Sequence, residues 1–262
     1  MAGVVFPYYE LARQLGTEQP VYGLQSVGIA GEAQPLTRIE TMAEMYLQAI
    51  RQIQPEGPYQ LAGWSFGGVV ALELAQQLHQ AGQTVGLLAI IDTPLAVSTL
   101  GASRLFLTTV LPYLWPYMAD YLAQRSVLLQ PGVTERQPSW LARKLGRLFQ
   151  KKDRADASPK LNFDTPGVQR LLRVLQANIQ AGRQYKPERY PGQVTLFKTA
   201  INHRGVTWGW GDVATGGIEL HSLPGHHMNL LRSPQVEVLA EQLAACLAQP
   251  NGDDPRVLTA VA

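Results

Sequence analysis

Residues 59–70, with the sequence YQLAGWSFGGVV, constrain the fold of this chain more than any other stretch. Residues 59–64 have the apolar composition of a buried strand, and residues 69–78 have the pattern of a helix. Gly63-Trp64-Ser65-Phe66-Gly67 therefore lies at a strand-to-helix turn and has the form Gly-x-Ser-x-Gly. In that context the pattern predicts a nucleophile elbow, a strained turn that exposes the Ser65 hydroxyl. The positive end of the following helix would point at any oxyanion formed there.

Helical and extended patterns alternate along the rest of the chain. After the elbow, residues 85–91 (VGLLAII) form a near-continuous apolar run that is typical of a central parallel strand. The other segments predicted to be helical are 6–16, 39–54 and 234–247, and those predicted to be extended are 21–26, 193–198 and 217–223. This order predicts an α/β fold with a mostly parallel sheet and helices on both faces.

The chain has room for one large α/β domain with an insertion, at 262 residues. Between residues 96 and 189 the strand pattern stops, and the sequence is helical, broken by prolines and basic. That length exceeds an ordinary crossover connection. We therefore predict a first part of the core over 1–95, a helical lid insertion over 96–189, a second part of the core over 190–250 and a disordered tail over 251–262.

Charge and cysteine content exclude several classes of protein. The formal net charge of +2 argues against a general nucleic-acid binder. The single cysteine, Cys246, excludes an internal disulfide and a Cys-rich metal site, and its apolar neighbours predict a buried structural thiol. No stretch approaches the length of a membrane span, and the start of the chain lacks the pattern of a signal peptide, so we expect a cytoplasmic protein.

Candidate catalytic residues follow Ser65 in the order Ser, Asp, His. A serine hydroxyl needs a histidine to take its proton and a carboxylate to fix the tautomer of that histidine. Asp92 directly follows the next predicted strand, and His227 lies in the loop after the last one. His226 could fill the role of His227, and Asp212 is the main rival for the acid. Position along the predicted sheet favours Asp92 and His227.

Three runs carry a family resemblance: GPYQLAGWSFGGVVALELAQQL, then LLAIIDT with Asp92 placed 27 residues after Ser65, then PGHHMNLL. Over nearly the whole chain the sequence resembles the thioesterase domains that terminate nonribosomal peptide synthetases and polyketide synthases. The resemblance implies an α/β-hydrolase fold with a helical lid after the Asp-bearing strand. It also implies Ser65 as acyl acceptor, Asp92 as acid, His227 as base and the Phe66 amide as an oxyanion-hole donor.

The resemblance further implies a reaction on a carrier-bound substrate. An acyl or peptidyl chain would pass from the phosphopantetheine arm of a carrier protein to Ser65, and water or a nucleophile within the chain would then release it. Such a reaction requires no metal and no bound redox cofactor. Chain termination and editing of misprimed carriers both fit. Two alternatives are a general carboxylesterase or lipase of the same fold and a non-catalytic module that docks carriers.

The start of the chain departs from the family pattern. Members normally begin with an apolar strand that leads into a His-Pro-x-Gly-Gly-like loop, which supplies half of the oxyanion hole. Here the chain opens with MAGV, so at least one strand is expected to be missing and the second oxyanion donor has no candidate. Loss of such a donor costs about a hundredfold to a thousandfold in turnover, and a missing strand exposes a sheet edge. The sequence therefore predicts an impaired or unstable protein.

The predicted lid has an uneven charge. Residues 136–160 hold eight Lys or Arg residues against two Asp residues, a net charge of +6. Arg143, Lys144 and Arg147 fall within an amphipathic stretch, residues 140–152. Its basic face is either a solvated surface or a surface that attracts an acidic carrier protein. Candidates to line an acyl channel, or simply to pack the lid, are Phe106, Tyr113, Trp115 and Tyr117.

Overall fold

The computed structural model describes residues 3–31, 33–95, 166–199, 207–248 and 257–262. In this part of the chain the helices are α1 (Tyr8–Leu15), α2 (Ile39–Ile53), α3 (Phe66–Gln80), α4 (Pro166–Gln184) and α5 (Gln235–Leu247). The strands are β1 (Val21–Leu24), β2 (Tyr59–Trp64), β3 (Val85–Ile91), β4 (Val194–Thr199), β5 (Ile218–Leu223) and β6 (Leu258–Val261). Across these residues, no helix combines the length and apolar character that crossing a membrane requires.

The six strands form one sheet in the order β1-β6-β2-β3-β4-β5. Every pair of named neighbours is parallel. The register brings Trp64 beside Ile91, and Ile91 beside Phe197, so that the ends of β2, β3 and β4 meet at one edge. The predicted α/β class is confirmed. Side chains that directly follow these strands are thereby gathered at the same edge of the sheet.

Helices cover both faces of the sheet, because the strands carry apolar side chains on both sides. On one face α2 and α3 pack over β2 and β3, with Leu61 and Leu72 fully buried between them. On the other face α1 and α5 pack together, with Leu11 and Leu239 fully buried. The elbow strand β2 therefore lies between two hydrophobic clusters, with Leu61 in one and Ala62 in the other.

Strand β6 corrects a prediction. The segment 251–262 was expected to be a disordered tail, and this is wrong for Leu258–Val261, all four of which are buried. β6 pairs with β1 on one side and with β2 on the other, beside the elbow strand. Its run of Leu, Thr, Ala and Val suits a strand buried on both faces, but it follows a polar stretch rich in Asp and Pro that hides the pattern.

The position of β6 also bears on the missing strand expected from the sequence. Among the described residues, no strand precedes α1. The backbone of β2 nevertheless has partners on both sides, since Gln60–Gly63 pair with β6 and the whole of β2 pairs with β3. The elbow strand is therefore not at an edge of the sheet, and the impaired activity or stability expected from the sequence stays a prediction.

Most of the predicted lid lies outside the described residues. This applies to Phe106, Tyr113, Trp115 and Tyr117 and to the basic residues Arg143, Lys144 and Arg147. Helix α4 falls within the predicted insertion. Its residue Ala181 and Tyr185, which directly follows the helix, pack into the core on the α3 face. The boundaries at 96, 189 and 250 stay predictions.

Candidate active site

Ser65 lies between β2 and α3 in a strained backbone conformation, with φ 59° and ψ −123°. A non-glycine residue rarely adopts such a positive φ, which costs free energy unless the surroundings impose it. Here three contacts impose it. The Ser65 amide donates to the Ile91 carbonyl at 3.1 Å, and the Ser65 carbonyl accepts from the Gly68 amide at 3.1 Å and from the Thr93 hydroxyl at 2.8 Å. The turn has the conformation that a nucleophile elbow requires.

Glycines around Ser65 allow the close approach of backbone segments. A Cβ added to Gly63 would overlap the Gly67 carbonyl, and one added to Gly67 would overlap the Val261 carbonyl of β6. At Gly68 the added atom would overlap the Thr93 side chain. The Gly-x-Ser-x-Gly pattern is therefore a steric requirement of this turn, and β6 imposes part of it.

Phe66 is the first residue of α3, and its side chain is buried. The first amides of a helix lack intrahelical acceptors, so they carry the positive end of the helix dipole. The Phe66 amide is thus one of the N–H groups at the start of α3, directly after Ser65. Its role as an oxyanion donor stays a prediction.

Asp92 directly follows β3 and is 1% exposed. Its amide donates to the Phe197 carbonyl at 2.7 Å, which fixes the backbone at φ 47°. Its Oδ1 accepts from the Thr199 amide at 2.9 Å and from the Thr199 hydroxyl at 2.8 Å. Its Oδ2 lies 2.8 Å from Nδ1 of His227. Both oxygens of this buried carboxyl group are therefore satisfied.

The surroundings of Asp92 keep it ionised at neutral pH. Burial alone raises the pKa of the carboxyl group, because desolvation disfavours the charged form. Hydrogen bonds and charge from His227, together with the two donors of Thr199, outweigh burial and lower the pKa below its usual value. An ionised Asp92 accepts a hydrogen bond from Nδ1 and so leaves Nε2 of His227 as the nitrogen able to take a proton.

His227 lies between the carboxylate and the elbow. Its ring stacks on the indole of Trp64, the residue before Ser65, with 5.0 Å between ring centroids. Among the described residues, no hydrogen bond joins the Ser65 hydroxyl to this ring. Hydrogen bonds of this kind are often long in unliganded enzymes and tighten when substrate binds.

The two rival residues lie elsewhere. His226 is exposed, and its Nδ1 accepts a hydrogen bond from the Met228 amide at 3.3 Å. Asp212 is exposed at the end of a short 3₁₀ helix, Trp210–Asp212. The structure therefore brings Asp92 and His227 together, and His227 rather than His226 contacts the carboxylate through its ring.

Sequence reasoning missed several residues that support the site. Thr199 is the last residue of β4, and its position at the carboxyl edge beside Asp92 is the signal that could have found it. Trp210 donates from Nε1 to the Thr93 carbonyl at 2.6 Å and so holds the segment after Asp92. No local pattern marks Trp210, since its partner lies 117 residues away in the chain.

Tyr8 is the third missed residue. Its hydroxyl donates to the Val261 carbonyl of β6 at 2.7 Å and accepts from the Trp64 amide at 2.7 Å. Burial raises the pKa of Tyr8, so the hydroxyl stays protonated and able to donate. One buried hydroxyl thus joins α1, β6 and the residue before Ser65.

Replacing Tyr8 with Phe should destabilise the fold by about 1–3 kcal/mol, because two buried backbone groups lose their partner. The measurement is the free energy of unfolding in denaturant. Tyr9→Phe is the matched control, since Tyr9 is 58% exposed on the same helix and should tolerate the change. Equal free energies of unfolding for Tyr8→Phe and the wild type would show that this hydroxyl does not stabilise the fold.

Comparison with known proteins shows which family this chain resembles. Residues 2–111 match the family model of the thioesterase domain. The chain is 32% identical over 249 residues to chondramide synthase cmdD of Chondromyces crocatus, covering 89% of this chain and 6% of that protein. It is 41% identical over 92 residues to polyketide synthase PksR of Bacillus subtilis (strain 168), covering 35% of this chain and 4% of that protein. The chain therefore spans only a small part of these relatives.

Two solved structures resemble the fold. A four-domain nonribosomal peptide synthetase, holo-AB3403 bound to AMP and glycine, matches with a TM-score of 0.70 and 27% identity, over 95% of this chain and 19% of that one. The NocB thioesterase domain, in covalent complex with a fluorophosphonate nocardicin G analog, matches with a TM-score of 0.62 and 24% identity, over 94% of this chain and 91% of that one.

The parallel sheet, the strained serine turn and these neighbours define an α/β-hydrolase fold. Within that fold, residues 2–111 match the thioesterase domain, and the chain is similar to parts of a nonribosomal peptide synthetase and, over 92 residues, of a polyketide synthase. The fold and the family resemblance predicted from the sequence are confirmed. The catalytic roles of Ser65, Asp92 and His227 stay predictions.

Proposed function

We propose that this domain releases acyl or peptidyl chains from the phosphopantetheine arm of a carrier protein through an acyl-Ser65 intermediate. The observation that carries the proposal is the 2.8 Å contact between Asp92 Oδ2 and His227 Nδ1 beside the strained turn of Ser65. Asp92 fixes the tautomer of His227, His227 serves as base and acid, and Ser65 is the nucleophile.

The first half of the reaction transfers the chain to the enzyme. Nε2 of His227 takes the proton of the Ser65 hydroxyl as its oxygen attacks the thioester carbonyl carbon. The tetrahedral intermediate carries its negative charge on the former carbonyl oxygen, where the Phe66 amide and the α3 dipole stabilise it. The carbon–sulfur bond then breaks, and the proton on His227 passes to the carrier thiolate, which leaves as a thiol.

The second half regenerates Ser65. His227 takes a proton from water, or from a hydroxyl or amine within the bound chain, as that group attacks the acyl-serine carbon. The bond to the Ser65 oxygen breaks, and the oxygen recovers its proton from His227. Water yields a free acid, whereas an internal nucleophile yields a ring. No step requires a bound cofactor, and the same steps serve chain termination and editing.

The partner we propose is a carrier-containing synthetase in the cytoplasm. The support is that the family relatives are synthetases far longer than this chain, two of them covered to only 6% and 4% of their length. The charge of residues 136–160 adds a route for recognition, because a net charge of +6 attracts an acidic carrier. Those residues lie outside the described part of the chain.

A comparison of two substrates with the same acyl chain tests the proposal. One is an acyl-pantetheine thioester and the other is the matched oxyester, in which oxygen replaces the reacting sulfur. We expect a higher kcat/KM for the thioester, and a further gain when the pantetheine is attached to a carrier domain. The control is the same assay on the Asp212→Asn variant, which should keep the wild-type selectivity.

Other outcomes point to the alternatives. Preference for the oxyester would contradict the proposal and favour a general carboxylesterase. Absence of turnover with either substrate, by protein that unfolds cooperatively, would favour a non-catalytic module that docks carriers.

A further inference from the structure

A group of three metal-ligating side chains lies apart from the site described above. Glu219 and His221 belong to the edge strand β5, and Cys246 belongs to α5. Their ligand atoms all lie within 4.8 Å of one another. Glu219 and His221 are two residues apart on a strand and so project from the same face. Two different elements therefore present a carboxylate, an imidazole and a thiol to one point.

The two distances from His221 fit a shared zinc ion. Nε2 of His221 lies 3.0 Å from Oε1 of Glu219 and 3.6 Å from Sγ of Cys246. A tetrahedral Zn²⁺ at its usual bond lengths separates a nitrogen ligand from an oxygen ligand by about 3.3 Å, and from a sulfur ligand by about 3.6 Å. The carboxylate of Glu219 and the thiol of Cys246 lie within 4.8 Å of each other, so a side-chain movement of about 1 Å would bring all three ligand atoms to tetrahedral spacing.

Ordinary hydrogen bonding explains the group less well. One imidazole nitrogen faces both an oxygen and a sulfur, yet a single N–H can be directed well at only one acceptor. The opposite tautomer would set the nitrogen lone pair against a carboxylate. A cation that binds all three groups satisfies each of them. The His221 ring is also held in place, because it stacks on Phe197 with 4.8 Å between ring centroids.

We propose that Glu219, His221 and Cys246 bind a zinc ion, with a water molecule as the expected fourth ligand. The ion joins β5 to α5, and the loop that carries His227 lies between these two elements in the chain. Zinc thus stabilises the unit that presents His227 without contacting the reacting atoms. This differs from the structural thiol predicted from the sequence, in which Cys246 had no ligand role.

Cobalt titration of the full chain tests the site, because Co²⁺ substitutes for Zn²⁺ and is coloured. We expect a near-ultraviolet band for thiolate-to-cobalt charge transfer and visible bands typical of tetrahedral cobalt. Cys246 is the only cysteine in the chain, so a thiolate band can arise from no other residue. Added zinc should abolish both sets of bands and raise the Tm.

Three variants locate the site, and one serves as control. Cys246→Ala should abolish the thiolate band. Glu219→Gln and His221→Gln should each weaken zinc binding by at least about a hundredfold, since loss even of residues that only orient ligands costs about 10- to 100-fold. His79→Gln is the matched control, because His79 is an exposed residue near the end of α3 and should not change the affinity.

Two results would overturn the proposal. One is the lack of a thiolate band in the wild-type protein at a saturating cobalt concentration. The other is zinc binding of equal strength in the wild type and in Glu219→Gln, which would place the metal elsewhere on the chain. Neither readout depends on thioesterase activity, so the site is tested whether or not the proposed reaction is correct.

Discussion

Replacing Ser65 with Ala is expected to lower kcat on an acyl-pantetheine thioester by at least about 10⁴-fold, because the acyl chain loses its acceptor. The fold should survive, since the backbone contacts of the turn to Ile91, Gly68 and Thr93 do not involve the hydroxyl that is removed. The measurement pairs steady-state kinetics with thermal unfolding, so that lost chemistry is distinguished from lost structure.

Ser233→Ala is the matched control for this change. Ser233 is exposed, and its hydroxyl contacts Glu237 one helical turn later, so its removal should leave turnover near the wild-type rate. Retention of most activity in Ser65→Ala would mean that a different group accepts the acyl chain, or that water attacks the thioester directly.

The second large effect is expected for Asp92→Asn, which should lower kcat by about 10⁴-fold. Thr199 presents an amide N–H and a hydroxyl to one side of this residue, so the Asn oxygen must face Thr199. The Asn amide N–H then faces Nδ1 of His227 and makes it an acceptor. The proton of the imidazole moves to Nε2, and His227 can no longer act as a base.

Asp212→Asn is the matched control, and it should behave like the wild type, because Asp212 is exposed and does not contact His227. Rates measured across a pH range sharpen the comparison, since a wrong tautomer is not repaired by raising the pH. A large fall in kcat for Asp212→Asn with a small fall for Asp92→Asn would mean that Asp212, and not Asp92, is the acid of the triad.

The sequence predicted the elements that local pattern determines. Three local patterns predicted the observed elements to within a few residues. They are the apolar run of Val85–Ile91, the helical period of Ile39–Ile53 and the glycines around Ser65. The contact between Asp92 and His227 was predictable for a different reason. Both residues follow parallel strands, whose carboxyl ends share one edge of the sheet.

Features that depend on distant parts of the chain were not predicted. β6 is too short and too close to polar residues to be recognised alone, and its partner β1 lies near the opposite end of the chain. Tyr8 and Trp210 act on the site through partners 253 and 117 residues away. Cys246 was interpreted from its helical neighbours, while its contact lies on β5. Tertiary packing decides these features.

Intact-mass spectrometry of the protein after brief exposure to an acyl-pantetheine thioester tests the central claim most directly. The account predicts a mass increase equal to one acyl group, located at Ser65 by peptide mapping and absent from Ser65→Ala. In Asp92→Asn the adduct should form far more slowly. An adduct of the same mass on Ser65→Ala, or release of acid without any acyl-enzyme under single-turnover conditions, would contradict the proposed mechanism.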